Sequence, residues 1–430
     1  MTIILLKLIT WIFCTFFVAV SFGKLKKGIV NSCYIIYLGF YFFMVLPVFL
    51  DLIFGRPNFD YYSQFNSFWG FKISGEDYLT EIIYSFFLIG STILLFLFGR
   101  KKDLLIKDIK KVRYSAVHRW LIFALSFVIV LPLVLSLNKI TILNDSWFQI
   151  FNYNYLRLLF RNDENFLTYY YLSLFVVLSF IIILVFTNRS ILSQTIFYSV
   201  PVYIAVGIHG KRNIIAILLV LYIFVLLFKT KIKLKNFQYI IVLSAIFILI
   251  SSFTYQSEIR GISLNESSSQ FYTDIRVDYG RDDVIKMAIY YQVNDDGILK
   301  GQSNTHLYLL KFLPINLKAL HSEYKYSIYA TSKLIGYNTP VDLGWGMTTG
   351  IFDESISNYG VIFGILLSLI VLILVCRLGD SSKNNLIIIL TYITGFLLMI
   401  LQATSFIFIL FLWIISIITF YLFRISRVEY

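Results

Sequence analysis

The sequence predicts an all-α, polytopic membrane protein of about eleven transmembrane helices, with one large folded external segment between the eighth and ninth spans. Three observations predict it. Apolar runs of about 20 residues recur along the 430-residue chain, and a helix rising about 1.5 Å per residue crosses a hydrocarbon layer of about 30 Å in that length. Hydrophobic residues make up 58% and charged residues only 14%, with a mean hydropathy of +0.78, which is outside the range of soluble domains. The cations are unevenly placed: one set of alternate loops holds 20 Lys and Arg in 50 residues, the opposite set 16 in 158.

The spans read at 2–22, 29–54, 78–99, 120–137, 166–187, 191–208, 213–228, 238–254, 358–376, 386–402 and 405–423. This divides the chain into helices 1–8 within 1–254, an external segment at 255–357, and helices 9–11 within 358–430. The cation-rich loops contain GKLKKG, RKKDLLIKDIKKVR and KTKIKLK, and the positive-inside rule places them in the cytoplasm. The segment 255–357 then faces outward. A net charge of +13, which in a soluble chain would suggest nucleic acid, is here a statement about topology.

The first span lacks a basic leader and a small-residue cleavage site, and Lys24, Lys26 and Lys27 follow it, so it reads as a retained helix with its N-terminus outside. Lys7, Asp51 and Glu81 lie close enough to span ends to sit at the interface. The spans carry no run of Asp, Glu or His resembling a proton relay, which argues against an ion-coupled transporter. Cys14, Cys33 and Cys376 fall in or at the ends of spans, leaving no disulfide framework and no CxxC metal site.

The turn from His209 to Asn213 leaves four residues between two spans and brings Lys211 and Arg212 to the outer surface, at phosphate depth. An Arg fork donates two hydrogen bonds to adjacent phosphoryl oxygens and stays protonated, and Gly207 and Gly210 would allow a headgroup to approach the backbone.

The external segment mixes nine cations with twelve carboxylates and two His, too balanced for a nucleic-acid patch. DVIKMAIYYQV and THLYLLKFLPI read as short amphipathic helices lying against the membrane domain. Arg260, Arg276, Arg281, Lys318 and Lys325 are candidate cations for an anionic glycolipid. Asp278, Asp282, Asp283, Asp295 and Asp296 lack Ca²⁺-loop spacing, so no metal is expected. His306 and His321 are the imidazoles of this segment.

GWGMTTGIFDESISNYGVIFG closes the segment. Gly344, Gly346 and Gly350 permit positive φ and close approach of a substrate. Glu354 and Asn358 share a helix face if the helix begins near Asp353, Asp353 suits an N-cap, and Gly360 and Gly364 form a small-residue stripe for tight packing.

Two features resemble the Wzy-type polymerases of O-antigen and capsule repeat units, GT-C-like relatives of the O-antigen ligases. One is the arginine in a Gly-rich turn opening a span, GIHGKRNIIAILLVLYIF. The other is the long outer segment ending in GMTTGIFDESISNYGVIFG, which fits G-(few)-E-x-x-x-N-[FY]-G-x-x-G. The chain departs from the pattern at Ile315 and Asn316, where an Arg often follows the proline, and at Ile356, where an aromatic is common. The resemblance implies glycosyl transfer on the outer face of the cytoplasmic membrane between undecaprenyl-pyrophosphate-linked repeats, with no cofactor or metal. It implies Glu354 as the catalytic residue, and substrate contacts from Arg212, Lys211, Arg260, Arg276, Arg281, Lys318, Lys325 and Asn358. Its partners would be membrane lipids, the lipid-linked donor and acceptor, a chain-length regulator and a flippase. A ligase moving finished polymer to lipid A core, and a lipid-oligosaccharide flippase or other transporter, are the competing classes.

Overall fold

The computed structural model describes residues 2–57, 59, 68–99, 105, 116–186, 190–210, 214, 218, 222, 272–273, 276, 280–294, 326–339, 341, 346–402 and 406–425. Among these the chain is helical, without a strand; an isolated bridge joins Ile29 to Leu105. It forms two compact units, one of residues 1–109 with 265–430 and one of residues 110–264.

Among the described residues seven helices are long and apolar enough to cross a membrane: 3–26, 32–54, 78–99, 122–142, 166–185, 191–209 and 361–382. Their outward surfaces are large apolar side chains, among them Phe16, Phe86, Phe123, Phe127, Phe197 and Phe363, the last 74% exposed. A skin of Phe, Ile and Leu on this scale is stable in hydrocarbon and not in water. The protein is a multi-pass membrane protein. Two further apolar helices, 386–400 and 409–421, are shorter, and the expected spans 213–228 and 238–254 lie outside the described residues apart from Ile214, Leu218 and Tyr222.

The first unit begins with α1 (Thr2–Lys26), then α2 (Ser32–Phe40), a π-helical stretch (Tyr41–Val45) and α3 (Leu46–Phe54) forming one continuous span. Pro47 explains the irregular stretch: it has no N–H to give the Phe43 carbonyl, so the helical ladder fails at that point. Short α4 (Trp69–Glu76) leads into α5 (Tyr78–Gly99).

The ends of these helices sort cleanly. Asn31 Nδ2 donates to the Gly99 carbonyl at 2.8 Å, and Ser32 donates to Asp380 through its backbone N–H at 3.1 Å and its hydroxyl at 2.5 Å. The Ile29–Leu105 bridge joins the same cluster. Residues 24–27, Gly99, Leu105 and residues 377–385 therefore lie at one end of the unit. Asp51 and Glu81, a helix length away, mark the opposite end.

That opposite end receives α10 (Asp282–Asn294), α11 (Tyr326–Leu334) and α12 (Ile351–Tyr359). Helix α10 packs against α4, α5 and α12. Residues 282–289 are buried all round, so DVIKMAIYYQV is an inserted helix and not the surface-lying one its pattern suggested. Gly360, at φ +86° and ψ 165°, ends α12 in a conformation open only to glycine and starts α13 (Val361–Ser382). The expected span at 358–376 is thus found as α13, which starts at Val361 after a short polar helix and a break and runs on to Ser382. Gly364 lies so close to α12 that a Cβ there would meet the Ser355 carbonyl oxygen at 2.4 Å. Helices α14 (Asn385–Ile400) and α15 (Ile407–Ile425) follow, with Asn384 capping α14.

The second unit packs α6 (Ala116–Ile142), α7 (Tyr153–Arg161), α8 (Phe166–Phe186) and α9 (Ile191–His209). Asn152 caps amphipathic α7, which buries Leu156 and Phe160 against Ile140, Ile150, Ile204 and Ile208. Lys139 at the end of α6 is ion-paired with Asp163. Trp147 and Phe148, stacked and exposed, suit a headgroup belt.

Candidate functional site

Two polar features occupy the same end of the first unit. The first is an ionic network. Arg276 is fully buried and forks onto Asp51, Nε to Oδ1 at 2.9 Å and Nη2 to Oδ2 at 3.0 Å. Its Nη2 also reaches Asp282 Oδ2 at 2.5 Å, and Nη1 lies 3.2 Å from Asp283 Oδ2. Lys286, one turn along α10, is 3.3 Å from Asp282 and 3.0 Å from Glu81 Oε1, the same oxygen that Lys7 approaches at 3.0 Å. Arg56 completes the set 3.4 Å from Asp283, and the Tyr272 hydroxyl donates to Asp51 at 2.9 Å.

Four cations face four carboxylates, so the network is neutral as a whole. Burial raises Asp282 but Arg276 and Lys286 outweigh it and hold the carboxyl low; burial together with Asp282 pushes Asp283 up. Arg276 is disfavoured by burial, yet its three carboxylate neighbours keep it firmly charged.

This arrangement revises two expectations, for the span-end charges and for Arg276. Lys7, Asp51 and Glu81 do not look out to headgroups; they turn inward and bind α1, α3 and α5 to α10. Asp282 and Asp283 serve cations of the chain itself. Arg276, read as a phosphate ligand, has its fork filled by Asp51. Among the described residues no group of three or more His, Cys, Asp and Glu side chains is arranged to hold a metal.

The second feature is α12. Gly350 is its N-cap, with extended backbone (φ −127°), and Asp353 is at the third helical position, where Oδ1 accepts the Gly350 N–H at 2.8 Å. Asp353 is therefore not the N-cap itself. A Cβ on Gly350 would fall 2.3 Å from the Met399 carbonyl oxygen; the glycine serves a backbone approach to α14 and not a positive φ. Gly346 lies against Ser327, and Gly344 is outside the described residues.

Asp353, Glu354 and Asn358 are all buried, each about 3% exposed. Asn358 Nδ2 donates to the Glu354 carbonyl at 2.9 Å, which confirms their shared face. The Tyr326 hydroxyl on α11 is 3.0 Å from Ser357 Oγ. Burial raises Asp353 to about 7, while the Gly350 N–H, Arg281 and the Tyr326 hydroxyl pull the other way. Arg281 is partly exposed, and its backbone N–H donates to the Phe43 carbonyl at 3.0 Å.

The structure thus brings Arg281, Asp353, Glu354 and Asn358 to one end of the first unit and places Arg276 in the scaffold beneath. Lys211, Arg212, Arg260, Lys318 and Lys325, with His306, His321, Asp278, Asp295 and Asp296, lie outside the described residues. In the second unit the faces of Gly207 and Gly210 are taken by the chain itself: a Cβ would meet Leu156 Cδ1 at 2.9 Å and Arg157 Cγ at 2.7 Å. They admit α7, not a headgroup.

Sequence reasoning missed Asp353 as a near-neutral carboxyl and the ionic network as a unit. The available signals were the alternation of spans, which puts Lys7, Asp51 and Glu81 at one end, and the i,i+4 spacing of Asp282 and Lys286. No family model, characterised protein or solved structure matches the chain.

Proposed function

We propose that the chain is a glycosyltransferase that joins oligosaccharide repeat units carried on undecaprenyl pyrophosphate, working at the outer face of a bacterial cytoplasmic membrane. In this reading it has eleven spans, and the end that carries α12 faces outward. The cation-rich loops 24–27 and 377–385 gather at the opposite end, which supports that orientation.

The observation that carries the reading is α12 itself. It buries two adjacent carboxyls and an amide between α10, α11, α13 and α14, where a purely structural helix would place apolar side chains. In the proposed transfer the acceptor hydroxyl attacks the anomeric carbon of the growing chain, and the bond to the lipid pyrophosphate breaks with its electron pair leaving on phosphate. Glu354 takes the acceptor proton or orients the acceptor, and Asn358 fixes its helix turn. Arg281, and Arg212 from the HGKRN turn, supply cations for the departing pyrophosphate. Arg276 holds α10 in place and so positions Arg281. O-antigen or capsule polymer is the expected product, with a chain-length regulator and a flippase as partners.

The test is complementation of a strain lacking its own polymerase, at matched protein levels. Glu354→Gln and Arg212→Ala are expected to leave single-repeat surface glycans; full-length polymer from both would remove the assignment. In a strain from which this protein alone is deleted, single repeats on core would fit a lost polymerase, and unattached polymer on its lipid carrier would identify a ligase instead.

A transporter is favoured by one observation, the charges Lys7, Asp51 and Glu81 buried within spans. They are neutralised and confined to one end among the described residues, so they trace no path across the membrane.

A further inference from the structure

We infer that Asp353 is a second working carboxyl of this site and the group that receives the acceptor's proton, with Glu354 beside it orienting the acceptor. The inference rests on the reading above and divides the labour that reading leaves shared.

Successive helical side chains diverge by about 100°, so Asp353 and Glu354 cannot serve the same point in space. Glu354 shares its face with Asn358. Asp353 instead faces the start of the helix. Its Oδ1 is fixed by the Gly350 N–H at 2.8 Å, which sets the rotamer, while Oδ2 is buried without a well-formed hydrogen bond. Leaving a buried carboxylate oxygen in that state is costly, and proteins seldom keep one without a use for it.

The surroundings match a group that changes charge. Arg281, just before α10, attracts the ionised form, and Tyr326 from α11, held by Ser357 at 3.0 Å, supplies a hydroxyl beside it. From α13 comes Ser368, which bonds the Ile351 carbonyl at 3.0 Å, and from α14 the Met399 backbone; Phe40 and Phe87 pack on neighbouring Phe352. One cation, one phenol and an otherwise apolar or neutral wall leave the carboxyl poised near neutrality, at about 7, which is where a general base works best. Glu354, its chain neighbour, is the other acid at hand.

The step balances. The acceptor oxygen bonds to the anomeric carbon, the carbon–oxygen bond to pyrophosphate breaks onto phosphate, and the hydroxyl proton moves to Asp353 Oδ2. The proton leaves to water before the next transfer.

The experiment measures initial rates of the purified, reconstituted protein on a polyprenyl-pyrophosphate-linked repeat from pH 5.5 to 8.5. The wild type is expected to show a rate that rises with a midpoint near 7. Asp353→Asn should lower the rate about 10²- to 10⁴-fold and flatten that limb, the usual contribution of a positioned base. Asp353→Glu, which keeps the carboxyl, should recover part of the rate with a displaced midpoint; this decides the matter if the Asn variant does not fold. Glu354→Gln should lower the rate and keep the midpoint. An Asp353→Asn enzyme within threefold of wild type, an Asp353→Glu enzyme as inert as Asp353→Asn, or a limb abolished by Glu354→Gln would overturn the inference and leave the transferase reading standing. A wild type that converts no substrate at any pH overturns both.

Discussion

The backbone N–H of Arg281 donates at 3.0 Å to the carbonyl of Phe43, four residues before Pro47, which has no N–H to offer that carbonyl. A proline inside the span thus creates the acceptor onto which the start of α10 docks. Bending the ladder and seating the polar helix are one event.

Replacing Arg281 separates the backbone from the side chain. Arg281→Ala keeps the N–H, whereas Arg281→Pro removes it and strands the Phe43 carbonyl. The proline variant is expected to be less stable than the alanine variant by about 1–3 kcal/mol, the cost of a buried unpaired backbone group. Thermal unfolding of both in one detergent checks this. Equal melting temperatures would show that the bond does not hold the helix.

The ionic network makes a second distinction. Arg276→Met leaves Asp51, Asp282 and Asp283 short of a buried cation and should lose about 3–5 kcal/mol of stability. Arg276→Lys should recover only part of it, since an ammonium cannot reproduce the two-pronged contact with Asp51. If Arg276 were a substrate ligand, its replacement would raise KM at unchanged melting temperature.

Asp353 should leave a mark on stability as well as rate. Burial raises its pKa in the folded protein to about 7, above the ordinary carboxyl value of about 3.9. Between those values the unfolded chain gives up the proton and the folded one keeps it, so the folded state loses stability as pH rises from about 4 to about 7, then levels. Asp353→Asn lacks this loss. Its melting temperature relative to wild type should climb across that interval; a constant difference from pH 4 to 8 would contradict the burial argument.

The sorting of helix ends yields a labelling experiment. Cys14, Cys33 and Cys376 are buried and give little background. A cysteine at exposed Glu76 and another at Lys383 mark opposite ends of the first unit. A membrane-impermeant thiol reagent added to intact cells should label the first and spare the second. The reverse pattern would invert the proposed orientation.

Much of this was legible in the sequence, because long apolar runs have only one comfortable solvent. The first six expected spans match helices to within a few residues, except that α6 continues to Ile142, past the expected end at 137. The cation-rich loops 24–27 and 377–385 do meet at one end. The spacing of Glu354 and Asn358 placed them on one face, as found. What was not legible depends on partners distant in the chain. Asp51 and Arg276 are 225 residues apart, and nothing local tells an interfacial aspartate from one that anchors a buried guanidinium. The amphipathic pattern of DVIKMAIYYQV reads as surface because its polar face is charged; only the structure supplies Glu81 and Arg276 to cover that face. Gly350 and Gly360 look alike in sequence, and only one takes a positive φ.

The central claim is that the polar end around α12 joins sugars carried on polyprenyl pyrophosphate. The most direct measurement is incubation of the purified protein alone with a polyprenyl-pyrophosphate-linked repeat unit, followed by separation of the products by size. The expected result is a ladder of multiples of the repeat and release of free polyprenyl pyrophosphate, both diminished by Glu354→Gln. Substrate recovered unchanged from active-pH incubations, or a ladder undiminished by Glu354→Gln, would contradict it.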